Sequence, residues 1–249
     1  MRVTTTSLAI WTVLAACSAP VEPTSSSIAS EPSCARSGFA LHAVDNDSLY
    51  MQKVFAAIGV LYRVEAASQG LREGDANDPI ARGLGIRADV DMWKAPDGKL
   101  QRDYYLTAPD RTTLERFVKD LAKRPGFEIP PDRLLLVEAP DPPRHEQWRT
   151  YFLHPQKILD AAAVAEVSLV EDEATGPIAG MTLTADGRTR LAAASAAQLG
   201  KKYATVLDGT VVTAAVIMGP ITLGGFSIRS RTQDRAGAET LVSKLSCNR

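Results

Sequence analysis

Residues 200–230 read GKKYATVLDGTVVTAAVIMGPITLGGFSIRS, and this stretch decides how the second half of the chain folds. Two apolar runs, Tyr203–Leu207 and Val211–Met218, flank the pair Asp208-Gly209. A two-residue type I′ turn needs positive φ at both central positions, so Asp-Gly between two β-prone runs predicts a β-hairpin. A third alternating run, Phe226–Ser230, follows after two glycines. We expect the second half of the chain to be built on this sheet.

The residues around this hairpin show clear periodic patterns. Alternation of apolar and polar residues predicts strands, and apolar residues spaced three and four apart predict helices. The predicted elements are a short helix at Gln156–Ala163, strands at Ala165–Glu171 and Ile178–Thr184, an Ala-rich helix from Thr184 to Leu199, and a last helix from Arg235 to Leu245.

The first half of the chain shows the order β-α-β-β-α-β. Its predicted elements are a strand at Gly38–Val44, a helix at Ser48–Tyr62, strands at Ile86–Trp93 and Leu100–Thr107, a helix capped by Asp110, and a strand at Arg133–Glu138. This order is that of a split βαβ, or ferredoxin-like, unit. The sequence therefore predicts an α+β fold with a ferredoxin-like βαββαβ base and an α+β head subdomain that contains the Asp-Gly hairpin.

The hairpin region also resembles a known family. The residues that carry the resemblance are Gly200, Leu207, Asp208, Gly209, Pro220, Ile221, Gly224 and Gly225. With the helix on either side, they are similar to the head of the first large periplasmic domain of SecD, the protein-export partner of the Sec translocon. The resemblance implies a ferredoxin-like base, and a head that contacts the translocating chain and swings relative to that base. Because SecD's transmembrane helices are absent here, we do not expect proton-driven pulling.

The first residues predict export and lipid anchoring. Arg2 precedes a short apolar core, and Leu14-Ala15-Ala16-Cys17 resembles a bacterial lipobox. We therefore expect residues 1–17 to be a lipoprotein signal peptide and Cys17 to carry the lipid. An ordinary signal peptide cut near Ala19 is the alternative. The apolar core is shorter than the roughly 20 residues that a membrane-spanning helix needs.

Composition divides the remainder into a tether and two folded parts. Residues 18–36 are rich in Ser and Pro, which predicts a flexible tether. Residues 37–139 form the predicted base, and residues 140–249 form the predicted head. The Pro-rich stretch 139–144 between them is expected to be a semi-rigid, hinge-like boundary, because proline restricts its own φ and the residue before it.

Two cysteines remain after lipidation, one at each end of the folded part. Exported proteins reach oxidising compartments, in which disulfides form and persist. Cys34 and Cys247 are therefore expected to form a disulfide. Two free thiols are the alternative.

Composition and motifs argue against several classes of function. The 28 Lys and Arg residues balance 29 Asp and Glu residues, so no basic field for nucleic acid is expected. His42, His145 and His154 lack metal-ligand spacing, and no catalytic motif is present. We expect no enzyme activity, cofactor, metal or small-molecule substrate.

The sequence thus predicts a binding protein at the periplasmic face of the cell envelope, lipid-anchored to the inner or outer membrane. Its expected partners are a translocating or unfolded polypeptide, or the Sec translocon and other envelope proteins. The residues expected to bind the polypeptide, for which core packing is the alternative, are Ile217, Met218, Leu223 and Phe226. The alternative function is a structural lipoprotein that binds a folded partner and has no role in export.

Overall fold

The computed structural model describes residues 38–58, 74–75, 78–141, 145–173 and 176–246. The expected signal peptide, the lipidation site Cys17, the tether and the cysteines Cys34 and Cys247 lie outside these residues. The described residues fall within one compact unit, Cys34–Arg249.

Eleven strands and five α-helices make up this described part. The strands are β1 Ala40–Val44, β2 Gly74–Asp75, β3 Arg87–Lys94, β4 Leu100–Ala108, β5 Leu134–Glu138, β6 Trp148–Asp160, β7 Val164–Asp172, β8 Gly176–Leu183, β9 Lys202–Leu207, β10 Thr210–Val216 and β11 Gly225–Ile228. The helices are α1 Leu49–Ile58, α2 Pro79–Gly83, α3 Arg111–Leu121, α4 Ala185–Ala197 and α5 Arg235–Leu245. The α+β class predicted from the sequence is confirmed.

The larger sheet closes on itself. Its strand order is β1-β9-β10-β5-β6-β4-β3-β2, and β1 also pairs with β6. Strands β1, β9, β10, β5 and β6 therefore form a ring in which only the β10–β5 pair is parallel. A ring has fewer open edges than a flat sheet, so fewer backbone groups are left to pair with other chains. The second sheet has the order β11-β8-β7.

The pairing of β6 differs from the ferredoxin-like arrangement. The predicted order of elements is found, but β6 lies between β5 and β4, where the first strand of a ferredoxin-like unit would lie. Leu134 on β5 faces Leu153 on β6, and Glu138 faces Arg149. Sequence periodicity gives the type of each element but not its partner, and β6 is long enough to pair with β1, β4 and β5 along different parts of its length.

The two predicted subdomains share this sheet. Strands β6, β9 and β10 come from residues 140–249, whereas β1, β3, β4 and β5 come from residues 37–139. No separation at residue 139 is visible in the described part of the chain. The stretch expected to be a hinge connects β5 to β6, two strands that pair with each other.

Three apolar clusters hold the elements together. One packs α1 and α3 against β3–β6, and another packs α4, α5 and the small sheet against β1 and β9. The third fills the inside of the ring, and its buried members are Val44, Tyr151, Leu153, Ala204, Val206 and Val211.

Candidate functional site

The β9–β10 hairpin lies at the centre of the predicted site. Leu207 pairs with Thr210 across a turn in which Asp208 has a φ of 50° and Gly209 a φ of 73°. The backbone N–H of Asp208 also donates to the carbonyl of Gly38, at 3.1 Å. This contact fixes the start of β1 against the turn.

Part of the outer edge of β10 is open. Strand β5 pairs with β10 only at Thr210 and Val211. The N–H of Ile217 donates to the carbonyl of Lys201, and backbone groups alternate in an antiparallel pair. Ala214 and Val216 therefore direct their N–H and C=O groups away from β9. No described strand pairs with this edge beyond Val211.

The four residues predicted to bind a polypeptide differ in how far they are exposed to solvent. Ile217 is 7% exposed and belongs to the core, which is the alternative that the sequence left open for it. Phe226 is half-buried, and its ring stacks on that of Phe39 with centroids 6.4 Å apart. Met218 and Leu223 are each 59% exposed. The segment between β10 and β11 thus presents two of the four side chains to solvent.

Gly200 was expected to end the Ala-rich helix, but α4 ends at Ala197 and Gly200 lies in the turn before β9. Gly200 has a φ of 79°, and a Cβ built there would lie 2.3 Å from the Cβ of Ala95. Its carbonyl accepts a hydrogen bond from Trp93 Nε1, at 2.7 Å. The tip of the β3–β4 hairpin is therefore packed directly against the start of β9.

A group of four charged residues lies next to this contact, and sequence reasoning did not find it. We call it the charged quartet: Asp91 on β3, Asp103 on β4, Arg149 on β6 and Lys202 on β9. Lys202 Nζ lies 2.6 Å from Asp91 Oδ2 and 2.8 Å from Asp103 Oδ2. Arg149 Nη2 lies 3.0 Å and 3.2 Å from the same two oxygens. Asp103, Arg149 and Lys202 are buried.

Both cations of the quartet lie over aromatic rings. The guanidinium carbon of Arg149 lies 3.7 Å from the ring centroid of Tyr105 and 4.5 Å from that of Tyr151. Lys202 Nζ lies 4.8 Å from the ring centroid of Trp93. Cations over aromatic faces are stabilised by the negative potential of the ring, and this effect grows when water is excluded.

The charges of the quartet perturb the groups around them. Burial raises the pKa of the Asp91 carboxyl, but Arg149 and Lys202 outweigh burial and hold that pKa well below its usual range. Burial, reinforced by the charge of Asp91, raises the pKa of Tyr105, so this phenol stays neutral. The two cations and two carboxylates balance one another, and this arrangement suits a structural junction better than proton transfer.

The sequence carries little signal for the quartet. Its hydrogen-bonded pairs are separated by 46 to 111 positions in the chain. The one local hint is that Asp91 alternates with apolar residues on β3, which places it on the face opposite the helices.

Two features are absent from the described residues. No helix in the described part of the chain is long and apolar enough to span a membrane. Among the same residues, no group of three or more His, Cys, Asp or Glu side chains is arranged to hold a metal ion.

The second half of the chain is similar to a known protein family. Residues 136–246 match the family described as SecDF, P1 head subdomain. The match supports a SecD-family periplasmic domain within residues 136–246. The match includes β9, β10 and all the residues on which the resemblance was first noted. No curated protein matches the chain.

Solved SecDF structures are similar to this chain at low identity, and each alignment covers 84% of it. One, from work on SecDF as a membrane component that enhances protein export, is 22% identical, with a TM-score of 0.36 and 92% of its own chain covered. A SecDF crystal structure in the super-membrane-facing form is 20% identical, with a TM-score of 0.35. SecDF from Thermus thermophilus, a translocon-associated membrane protein, is 16% identical, with a TM-score of 0.31. The chain covers 28% of the length of each of the last two.

Proposed function

We propose that this SecD-like protein acts in protein export on the periplasmic side of the cell envelope, where it binds translocating or unfolded polypeptide. The observation that carries the proposal is the open edge of β10 beside two exposed apolar side chains, Met218 and Leu223. Both lie in the segment that matches the SecDF P1 head subdomain.

The open edge suits an extended chain. An unfolded polypeptide can add a strand to an exposed edge, and its main-chain hydrogen bonds then give affinity without requiring a particular sequence. Ala214 and Val216 supply the backbone groups, and Met218 and Leu223 supply apolar contact beside them. Such binding favours extended, apolar segments, which are the segments that folded proteins hide.

The proposal includes how the protein is held at the membrane. Cys17 carries a lipid, residues 18–36 act as the tether, and the folded part reaches the Sec translocon or other envelope proteins from the inner or outer membrane. A lipid on a flexible tether confines a binding domain near the membrane, which raises its effective concentration there. The protein acts by binding and not by catalysis.

A disulfide between Cys34 and Cys247 is also part of the proposal. Gly38, four positions after Cys34, is bonded to Asp208, and Leu207 lines a cavity of about 440 Å³ together with Lys244. Cys34 lies four positions before Gly38, and Cys247 lies three positions after Lys244. The described residues nearest to the two cysteines in sequence therefore lie on the same side of the fold. Closing so long a loop would stabilise the protein by about 4 kcal/mol or more on the chain-entropy account, less any strain.

Site-specific photocrosslinking in cells tests the binding proposal. A benzophenone amino acid at Met218 or Leu223 is expected to crosslink to newly secreted polypeptides. The matched control is the same amino acid at Val170, which is 41% exposed on β7, outside the proposed surface. Equal labelling at all three positions would overturn the proposal.

The same experiment distinguishes the export proposal from the alternative function. A single folded partner, captured in a fixed ratio at Met218 or Leu223 and without secreted chains, would replace the export proposal with that of an interaction lipoprotein. A ladder of crosslinked products of many sizes, which disappears when secretion is blocked, supports export.

A further inference from the structure

We propose that the outer edge of β7 is a self-association site, at which a second copy of this chain adds its own β7 in antiparallel orientation. The two three-stranded sheets then join into one sheet of six strands across a twofold axis. The edge of β7 belongs to the smaller sheet, whereas the open edge of β10 belongs to the larger one. The inference therefore does not depend on whether the protein binds polypeptide.

Strand β7 has an open edge along the middle of its length. The N–H of Leu183 on β8 donates to the carbonyl of Gly224, which directly precedes β11. Because backbone groups alternate in antiparallel pairs, Gly180 on β8 faces the opposite way, toward Ser168 on β7. The residues on either side of Ser168 therefore direct their N–H and C=O groups away from β8. Within the described part of the chain, no strand pairs with this side of β7.

The middle of this edge lacks the features that usually keep an edge strand from pairing with another chain. Edge strands are commonly protected by being short, by a β-bulge, or by lysine and proline. The edge strands β2 and β11 have only two and four residues. Strand β7 has nine residues, and its irregular pairing with β8 lies at one end, between Val164 and Glu166. The stretch Glu166–Val170 contains neither lysine nor proline, so it can accept a further strand.

The same stretch, Glu166–Val170, is complementary to itself. With Ser168 on the twofold axis, Val167 of one copy lies opposite Leu169 of the other. The glutamate at one end of the stretch then lies opposite the valine at the other end, on both sides of the axis. Each apolar side chain next to the axis meets an apolar side chain, and no two carboxylates lie opposite each other.

Other registers are less favourable. Moving the axis one residue from Ser168 toward the C-terminus brings Glu166 opposite Asp172, and like charges directly opposite each other destabilise a sheet. Moving it one residue toward the N-terminus brings Val170 opposite Val164, where the bulge interrupts the strand. Charge and the bulge thus favour the register that has Ser168 on the axis.

Pairing in this register also covers apolar surface. Val170 is 41% exposed, although Ile178, which lies opposite it on β8, is buried. Val167 is half-buried and packs at the margin of the apolar cluster that contains α4 and α5. A second β7 covers both valines, and removal of apolar area from water favours association.

Pulsed electron paramagnetic resonance on the full-length chain in detergent tests the inference. A nitroxide is attached at Ser227 on β11 through a ketone-bearing amino acid, which avoids the native cysteines. Ser227 is exposed and lies in line with Gly180 and Ser168 across the three strands. Two copies of Ser227 are then five strand spacings apart, about 24 Å between their backbones. We expect this distance, and we expect it to disappear when labelled chain is diluted into unlabelled chain.

Proline variants at the two open edges show which edge joins the copies. The N–H of Leu169 faces the open side of β7, so Leu169→Pro should abolish the distance while circular dichroism shows a folded chain. Ala214→Pro, at the open edge of β10, is the matched control and should leave the distance unchanged. A distance that persists in Leu169→Pro, or no distance in the wild-type chain, overturns the inference. Crosslinking of secreted chains from Met218 is measured in the same variants, so failure of the proposed function is seen separately.

Charge variants test the register without a proline. Val170→Glu faces Glu166 of the other copy on both sides of the axis, so it should weaken association about tenfold. Adding Glu166→Lys to the same chain places a lysine opposite each new glutamate and should restore association. The dissociation constant is measured from the distance signal against chain concentration. Unchanged association in Val170→Glu, or no recovery in the double variant, overturns the proposed pairing.

Discussion

Gly200 combines a left-handed backbone with a close contact between distant parts of the chain. Its φ of 79° lies in the left-handed region that favours glycine, in the turn between α4 and β9 and not at the helix end that the sequence pattern predicted. Its lack of a Cβ also lets Ala95 approach it, a requirement that comes from a residue 105 positions earlier. The same glycine therefore satisfies one local and one long-range demand.

Comparing Gly200→Ala with Gly98→Ala distinguishes the cost of the left-handed backbone from the cost of the contact with Ala95. Gly98 has a φ of 83° but no atom within 4 Å of an added Cβ, so its replacement costs only the left-handed backbone, about 1–2 kcal/mol. Gly200→Ala should cost about 1–3 kcal/mol more, because Ala95 must also be displaced. Urea denaturation of the two variants measures the difference in unfolding free energy. Equal losses would show that the contact with Ala95 relaxes freely.

Single residues were predictable where their role is local. The turn pair Asp208-Gly209 and the helix-starting residues Asp110 and Thr184 act through neighbours within three positions, so the sequence around them was sufficient. The charged quartet was not predictable, because nothing local to Arg149 or Lys202 indicates a buried carboxylate on another strand. Ile217 shows the same limit, since its strand was clear from the sequence but its burial depended on packing against distant elements.

At the scale of elements, β10 has two edges in different states. One edge pairs with β9 along its whole length, and the other pairs with β5 only near the turn. Proline removes the N–H of a single residue, and it is tolerated in a strand only where that N–H does not pair. Proline substitution can therefore distinguish the two edges.

Ala214→Pro should abolish crosslinking from Met218 and leave the protein folded, because the Ala214 N–H points away from β9. The neighbouring change Thr213→Pro is the matched control: its N–H faces Thr205 on β9, so it should destabilise the hairpin. Circular dichroism melts and crosslinking yields, measured side by side, test this. If Ala214→Pro keeps full crosslinking, an added strand on β10 is not how polypeptide binds.

The type and position of each element were easier to predict from the sequence than the strand with which it pairs. Periodicity located most strands and helices, because burial on one face leaves a pattern in the sequence. It misassigned Gln156–Ala163, expected to be a short helix, most of which continues strand β6. That region is strand because β1 pairs with it from Asp160 to Leu153, and a pairing with residues more than a hundred positions away leaves no local pattern.

For the whole molecule, the region matched to the SecDF head is not a self-contained structural piece. It supplies β6, β9 and β10 of the ring, while β1 lies far outside it and β5 begins just before it. It also supplies both cations of the quartet and neither carboxylate. The family match therefore covers a segment that shares its large sheet and its buried ion pairs with the residues before it.

A fragment of residues 134–246, which keeps β5 intact, should not fold alone. Without β1 the ring is open between β6 and β9, and the apolar residues that fill it, among them Leu153 and Val206, meet water. Without β3 and β4, Arg149 and Lys202 lose their carboxylates, and each unpaired buried cation opposes folding. We expect a poorly dispersed ¹H–¹⁵N NMR spectrum for the fragment and a dispersed one for residues 34–246. Adding residues 34–133 as a separate polypeptide should restore dispersion, because both missing sets of contacts come from that piece. A dispersed spectrum from the fragment alone would mean that the head folds independently, and the closed ring would then be an association of two finished domains instead of one fold.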